Sequence, residues 1–250
     1  MIFSNELSLQ AIIMFAIAVV FAIVLHECAH GYVAKWNGDL TAKFSGRLTL
    51  NPLKHFDVFG FMMLMVVGFG YAKPVPINPD NFKRRRLGIF LVSIAGIMTN
   101  LILAFLSALV LVLFERFYGG VTLGADEIAF VDVLIYIVRL FFTSFLFINI
   151  CLALFNLLPI YPLDGHRILE SATGPLNKVT KTLRDFGQYI LIVLIVLGAL
   201  SGMIARSGRI PNYPEWMNPL GFFINTVGGA IRNCLLNFWR LLFGVQISWV

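Results

Sequence analysis

Three observations predict an all-α polytopic membrane protein. Of 250 residues, 59% are hydrophobic and only 13% charged, and the mean hydropathy is +0.85; a soluble domain is nearer half apolar and a quarter charged. Uncharged runs of spanning length recur, residues 87–114 being one of 28 residues. The charges sit in short clusters between these runs, the pattern that sets membrane topology. A bilayer core takes roughly 20 residues per helix, so the chain has room for about five to six transmembrane helices and no large soluble domain. The 24 phenylalanines suit lipid-facing helices. A formal net charge of +6, split among inter-span clusters, argues against nucleic acid as a partner and for the lipid bilayer.

The elements follow in chain order. Residues 11–25 are fifteen uninterrupted apolar residues, and His26, Glu27 and His30 then fall inside the same predicted span, residues 9–36. Residues 40–50 (LTAKFSGRLTL) alternate around Ser45-Gly46, which predicts a small β-hairpin. Residues 58–69 form a twelve-residue apolar run, too short to cross. Its flanks are both basic: Lys43, Arg47 and Lys54 before it, then Lys73 and Lys83 to Arg86 after it. A re-entrant excursion keeps both flanks on one side. Irregular backbone at that depth is tolerated only against protein or a wet cavity, which puts this β-hairpin region near an active site.

Residues 87–114, 140–163 and 186–205 are the remaining clear spans. The 1–205 region is the expected core. The 206–250 tail is apolar but broken by Arg232 and Arg240, and reads equally as a further crossing or an interfacial helix. The positive-inside rule sends the first span inward, the second outward and the third inward. His26, His30 and Asp164 then lie at similar depth near the cytoplasmic leaflet of a multi-pass cell-membrane protein. Cys28, Cys151 and Cys234 form no C-x-x-C pair and point to no disulfide or metal framework.

His26-Glu27-Cys28-Ala29-His30 is H-E-x-x-H. On a helix, positions i and i+4 share a face about 5–6 Å apart, so both imidazoles can hold one Zn²⁺ with Glu27 as general base. Three ionisable groups within five residues of a span are costly unless they pair or bind a metal. A catalytic zinc needs a third protein ligand. The candidates are Asp164, Glu170, His55 and His166. Depth and charge favour Asp164, His166 competes on chemistry, and His55, in the loop NPLKHFD, reads as a solvated or capping histidine.

Residues 156–165 (NLLPIYPLDG) resemble the N-x-x-P-x-x-x-L-D-G motif of the site-2 proteases, the zinc-dependent intramembrane metalloproteases. Together with the upstream H-E-x-x-H, and with GRLTLNPLKHFD and AKPVPIN, the resemblance is to the short prokaryotic branch lacking PDZ or CBS modules, over roughly residues 10 to 200. It implies one Zn²⁺ per chain on His26, His30 and Asp164, with Glu27 as base. It gives Asn156 a catalytic or substrate-binding role at the oxyanion; a helix–helix hydrogen bond is the equally weighted alternative. Gly96 to Asn100 resembles the family's G-x-x-x-N, with Ile97 where proline is usual. That makes Asn100 a substrate-binding candidate and Gly96 a packing residue. The expected function is an intramembrane zinc endopeptidase acting on a transmembrane protein or peptide substrate, with an edge of the 40–56 hairpin holding the unwound segment. The rival is a membrane metal transporter or sensor using the same His/His/Asp set. It leaves Glu27 without work, and the chain shows none of the paired halves usual in transporters.

Overall fold

A computed structural model describes residues 9–55, 57–60, 62, 73–118, 130–174, 176–207 and 218–245. All regular structure among them is helical: α1 (Leu9–Trp36), α2 (Thr41–Phe44), α3 (Arg85–Tyr118), α4 (Phe130–Leu157), α5 (Asp164–Thr173), α6 (Lys178–Ser207) and α7 (Pro219–Phe243), with single 3₁₀ turns at Pro52–Lys54 and Pro79–Asn81. Among the described residues, four helices are long and apolar enough to cross a membrane: α1, α3, α4 and the Lys178–Ile204 part of α6.

α1, α3 and α4 pack against one another and form the centre of the bundle. Lipid tails are as apolar as leucine, so tight packing rather than water exclusion holds such helices together, and small residues let backbones approach. Ala18 and Ala22 of α1 are fully buried beneath Phe145 of α4, with Phe141 and Leu103 packed alongside. Ala104 and Ala108 of α3 face Leu146, Ile150 and Leu154 of α4. α1 and α4 therefore run the same way and α3 opposes them. The late turns of α1, the first turns of α3 and the exit from α4 meet at one end. α6 packs chiefly on α5 and α7, and leaves Phe186, Tyr189, Ile192, Val196 and Leu200 exposed, a lipid-facing surface.

Local sequence explains the extent of α7. Asn218 caps its first turn by accepting from Gly221 N at 2.8 Å, Pro219 stands where no N–H is needed, and Gly244 ends it at φ 64°. The helix lies lengthwise on the bundle. Gly228 faces Ile150 and Leu154, Trp239 Nε1 donates to Phe105 O at 3.0 Å, and Arg240 holds Glu115 through both carboxylate oxygens at 2.7 and 2.9 Å. At 1.5 Å per residue its 25 residues reach about 37 Å. The described part of the tail, Pro219–Phe243, is thus a helix packed along α3 and α4. Its arginines and Asn225, Asn233 and Asn237 keep it out of the four apolar spans.

The hairpin expectation is corrected here. No strand occurs among the described residues, and residues 41–44 form a helical turn. The cause is Asp39, whose buried carboxylate accepts from Thr41 N at 3.1 Å and Thr41 Oγ1 at 2.5 Å. Ser45 Oγ then returns to Thr41 O at 2.9 Å, and Gly46 closes the turn at φ 65°. Short polar side chains bonding their own backbone outcompete a β-ladder. The alternation was a poor guide because Phe44 and Leu50 are exposed. Of the expected re-entrant run, residues 58–60 are helical; residues 61 and 63–69 lie outside the described set.

Candidate metal centre

H-E-x-x-H lies in the second half of α1 and turns both imidazoles toward α3. Their rings stand perpendicular, centroids 4.5 Å apart. What lets them fit is Gly96. A Cβ there would come within 2.5 Å of His26 Cε1 and 2.6 Å of His30 Nε2. Gly96 is therefore the wall of the site, where packing between helices alone was expected of it.

Asp164 arrives from the other side. After α4 the chain reverses through residues 158–163, and Asp164 opens α5. The turn needs Gly165, since a Cβ there would meet Leu157 O at 2.3 Å. His26 Nε2, His30 Nε2 and an Asp164 oxygen thus converge, with Nε2–Nε2 at 3.0 Å and Asp164 Oδ2 at 3.4 and 3.1 Å from the two nitrogens. All three residues are buried and lie close enough to share one metal ion.

Hydrogen bonds on the far side of each ring decide what faces the cluster. His30 Nδ1 lies 2.7 Å from Val92 O, a carbonyl that can only accept, so Nδ1 carries the hydrogen. His26 Nδ1 lies 2.5 Å from Asn100 Oδ1, with the same consequence. Both Nε2 atoms then present bare lone pairs to each other and to a carboxylate. Asp164 Oδ2 is buried and has no hydrogen-bond partner. Three converging lone pairs with no hydrogen among them repel unless a cation joins them. Two neutral imidazoles and one carboxylate are a donor set that suits Zn²⁺, so the residues present fit the metal.

Glu27 leaves α1 one residue past His26 and accepts from Val75 N at 2.8 Å. Val75 belongs to an extended strap, residues 73–78, laid over α1 at Gly31, where a Cβ would come within 3.3 Å of Val75 Cγ1. Four further bonds tie the strap down. Lys73 N donates to His55 O at 3.0 Å, Arg47 Nη2 reaches Lys73 O at 2.6 Å and Pro74 O at 3.3 Å, and Asn78 N donates to Asp39 Oδ2 at 2.8 Å.

The other candidates are placed elsewhere. His55 is buried, not solvated, and its Nε2 meets Thr49 O at 2.8 Å, close to Cys28 of α1. His166 is buried with Nε2 on Thr180 O at 3.1 Å, and Glu170 pairs with Arg184. Asn156 is half-buried on the last turn of α4, with Nδ2 donating to Leu152 O at 3.0 Å. Asn100 sits against His26 and is fully buried, so its amide holds a histidine where a substrate contact was expected. Asn149, whose Oδ1 accepts from Asn100 Nδ2 at 2.8 Å, is not among the sequence candidates. Its sequence signal is being the one carboxamide among residues 140–155. Backbone partners such as Val92 O and Val75 N–H leave no sequence signal at all.

Comparison with known proteins identifies the family. The sequence model of peptidase family M50 matches residues 14–198, which include H-E-x-x-H and Asp164. The chain is 44% identical over 181 residues to "Putative zinc metalloprotease YwhC" of Bacillus subtilis (strain 168), covering 72% of this chain and 78% of the relative. It is 29% identical over 188 residues to "Putative zinc metalloprotease Rip2" of Mycolicibacterium smegmatis, covering 72% and 65%. The protein of the same name from Mycobacterium tuberculosis (strain H37Rv) is 27% identical over 227 residues, covering 89% and 79%. No solved structure matches the chain at a significant level. Nothing in these relatives supports a metal transporter. The chain is a multi-pass membrane protein and belongs to peptidase family M50, the site-2 protease family of metalloproteases.

Proposed function

We propose that the protein is an intramembrane zinc endopeptidase that cleaves peptide bonds within or near transmembrane segments of other proteins, with one zinc per chain and its active site near the cytoplasmic leaflet. The observation that carries the reading is the convergence of the His26 and His30 Nε2 lone pairs on buried, unpartnered Asp164 Oδ2. His26, His30 and Asp164 would hold the metal. When bound, zinc supplies Lewis acidity, which polarises a carbonyl and acidifies a water.

The rest of the chemistry falls to side chains. Glu27 takes a proton from the attacking water and returns it to the leaving amine nitrogen as the C–N bond breaks and the C–O bond forms. One water is consumed, and a carboxylate and an amine are released. The Val75 N–H keeps Glu27 Oε2 aimed along the strap, so the carboxylate is held in place before substrate enters. Asn156, at the mouth of the site beside the Asp164 turn, is the proposed partner for substrate or for the oxyanion. A helical substrate hides its carbonyls, so the cleaved segment must unwind locally to reach Glu27.

The test is cleavage of single-span membrane proteins in proteoliposomes by wild-type protein and Glu27→Gln. Loss of cleavage with about one zinc retained supports the reading. Full cleavage by Glu27→Gln contradicts it.

A further inference from the structure

We infer that Asn149 is a positioning residue for the metal centre: acting through Asn100, it dictates which nitrogen of His26 carries the proton. The inference rests on the zinc reading above and reaches a residue two links behind the ligand.

The polarity of the chain is set from its far end. Phe145 O is a backbone carbonyl and can only accept. Asn149 Nδ2 donates to it at 2.8 Å, which leaves Asn149 Oδ1 on the other side. Asn100 Nδ2 donates to that oxygen at 2.8 Å, and so Asn100 Oδ1 faces His26 Nδ1 at 2.5 Å. An amide oxygen cannot donate, so the hydrogen lies on Nδ1 and the Nε2 lone pair is free for the metal.

Asn100 alone would not decide this, because a carboxamide has nearly the same shape when its oxygen and nitrogen exchange. Reversed, it would offer N–H to Nδ1, drive the ring proton to Nε2 and block ligation. Asn149 forbids the reversal: an exchanged Asn100 would set oxygen against oxygen, and an exchanged Asn149 would set its oxygen against Phe145 O. Asn100 and Asn149 are both fully buried, where an unpaired polar group is costly, so the ordered chain is strongly preferred. His30 needs no such device, since Val92 O is fixed by the backbone of α3. The chain links α1, α3 and α4, and it orients a ligand without adding charge to the site.

The experiment compares detergent-purified wild type with Asn149→Leu, Asn100→Leu, the double variant Asn100→Asp/Asn149→Leu, and His26→Ala. Ser107→Ala is the control; its buried hydroxyl bonds Leu103 O, outside the chain. Two quantities are read: zinc affinity by chelator competition, and the ¹⁵N shifts of the His26 ring nitrogens in zinc-free protein. Asn149→Leu and Asn100→Leu should each bind zinc about 10-fold more weakly, by the scale of perturbed metal surroundings. The Nε2-protonated form of His26 should appear in Asn149→Leu. The double variant should return to within about threefold of wild type, because a carboxylate accepts on both oxygens and needs no neighbour to orient it. Purely structural damage would not be repaired by burying a charge. Should Asn149→Leu not fold, Asn149→Ala carries the same comparison. Wild-type affinity with an unchanged tautomer in the Asn149 variant, or a double variant no better than the single, overturns the relay while leaving the zinc reading intact. One zinc retained by His26→Ala overturns both.

Discussion

Gly96 of α3 and His30 of α1 lie so close that a Cβ on the glycine would stand 2.6 Å from both Cε1 and Nε2 of the ring. The nearest atoms belong to two imidazoles that are themselves held from behind by Val92 O and Asn100, so they have nowhere to retreat. Gly96→Ala should therefore displace both rings. Zinc affinity should fall about 10- to 100-fold, the range for disturbed metal surroundings. Chelator competition checks it, and Gly202→Ala, where a Cβ meets nothing within 4 Å, should leave affinity unchanged.

Asp164 should be the only carboxylate whose loss releases the metal. Asp164→Asn removes the charge that offsets the dication, and at least a 10-fold loss of zinc affinity is expected. Glu170→Gln breaks the pairing with Arg184, and His166→Ala loses the bond to Thr180 O. Both should keep about one zinc per chain. Metal analysis of the three purified variants separates these outcomes.

Asp39 should govern the strap that carries Val75. Burial pushes its carboxyl up, but Thr41, Asn81 and Asn78 donate to it and hold it below its ordinary value. A depressed folded value means stability that is full above the ordinary value of 3.8 and is lost as pH falls through the folded one. The protection of the Thr41 and Asn78 amides, relative to free-amide exchange at the same pH, should therefore fall as the pH is taken below the ordinary value of 3.8. Asp39→Ala should show the fast exchange at neutral pH, with local protection reduced by about 1–3 kcal/mol, and should lower cleavage without releasing zinc. Slow exchange in that variant would remove the strap's dependence on Asp39.

Glu115 and Arg240 should couple α3 to α7. Both are mostly buried and meet through two parallel bonds, the geometry in which an ion pair near a surface contributes measurably. A double-mutant cycle with Glu115→Gln and Arg240→Gln should give a coupling of about 1 kcal/mol, read from thermal unfolding in detergent. Zinc content should not change, because the pair sits at the end of the bundle away from His26.

Much of this architecture is legible in the sequence because lipid simplifies the problem. Uncharged runs of spanning length leave few alternatives to helix, so α1, α3 and α6 cover the stretches read from composition, whereas α4 (Phe130–Leu157) begins ten residues before the expected 140–163 and ends six residues short of it. The same physics exposes the site: His26, Glu27, His30 and Asp164 are polar groups where polar groups are costly, and topology alone brings them to one depth. What failed is instructive. The alternation in residues 40–50 was read as a strand, yet Asp39 and Ser45 bond the local backbone and wind it into a turn. Asn100 was given to the substrate because a sequence motif shows a residue type without its partner, and the partner is His26. Asn149 escaped notice because its role is defined by two neighbours, Asn100 and Phe145 O, from different helices. Gly96 was seen as a packing residue, and only the position of the imidazoles shows what it packs against.

Two imidazoles and one carboxylate of this chain should hold a single zinc, and zinc-edge X-ray absorption on the purified protein reads that coordination out. The expected first shell has two imidazole nitrogens at about 2.0–2.1 Å and oxygens at about 2.0–2.2 Å, with no sulfur, and one oxygen fewer from protein in Asp164→Asn. A shell containing sulfur at about 2.3 Å, a shell unchanged by Asp164→Asn, or protein that takes up no zinc would contradict it.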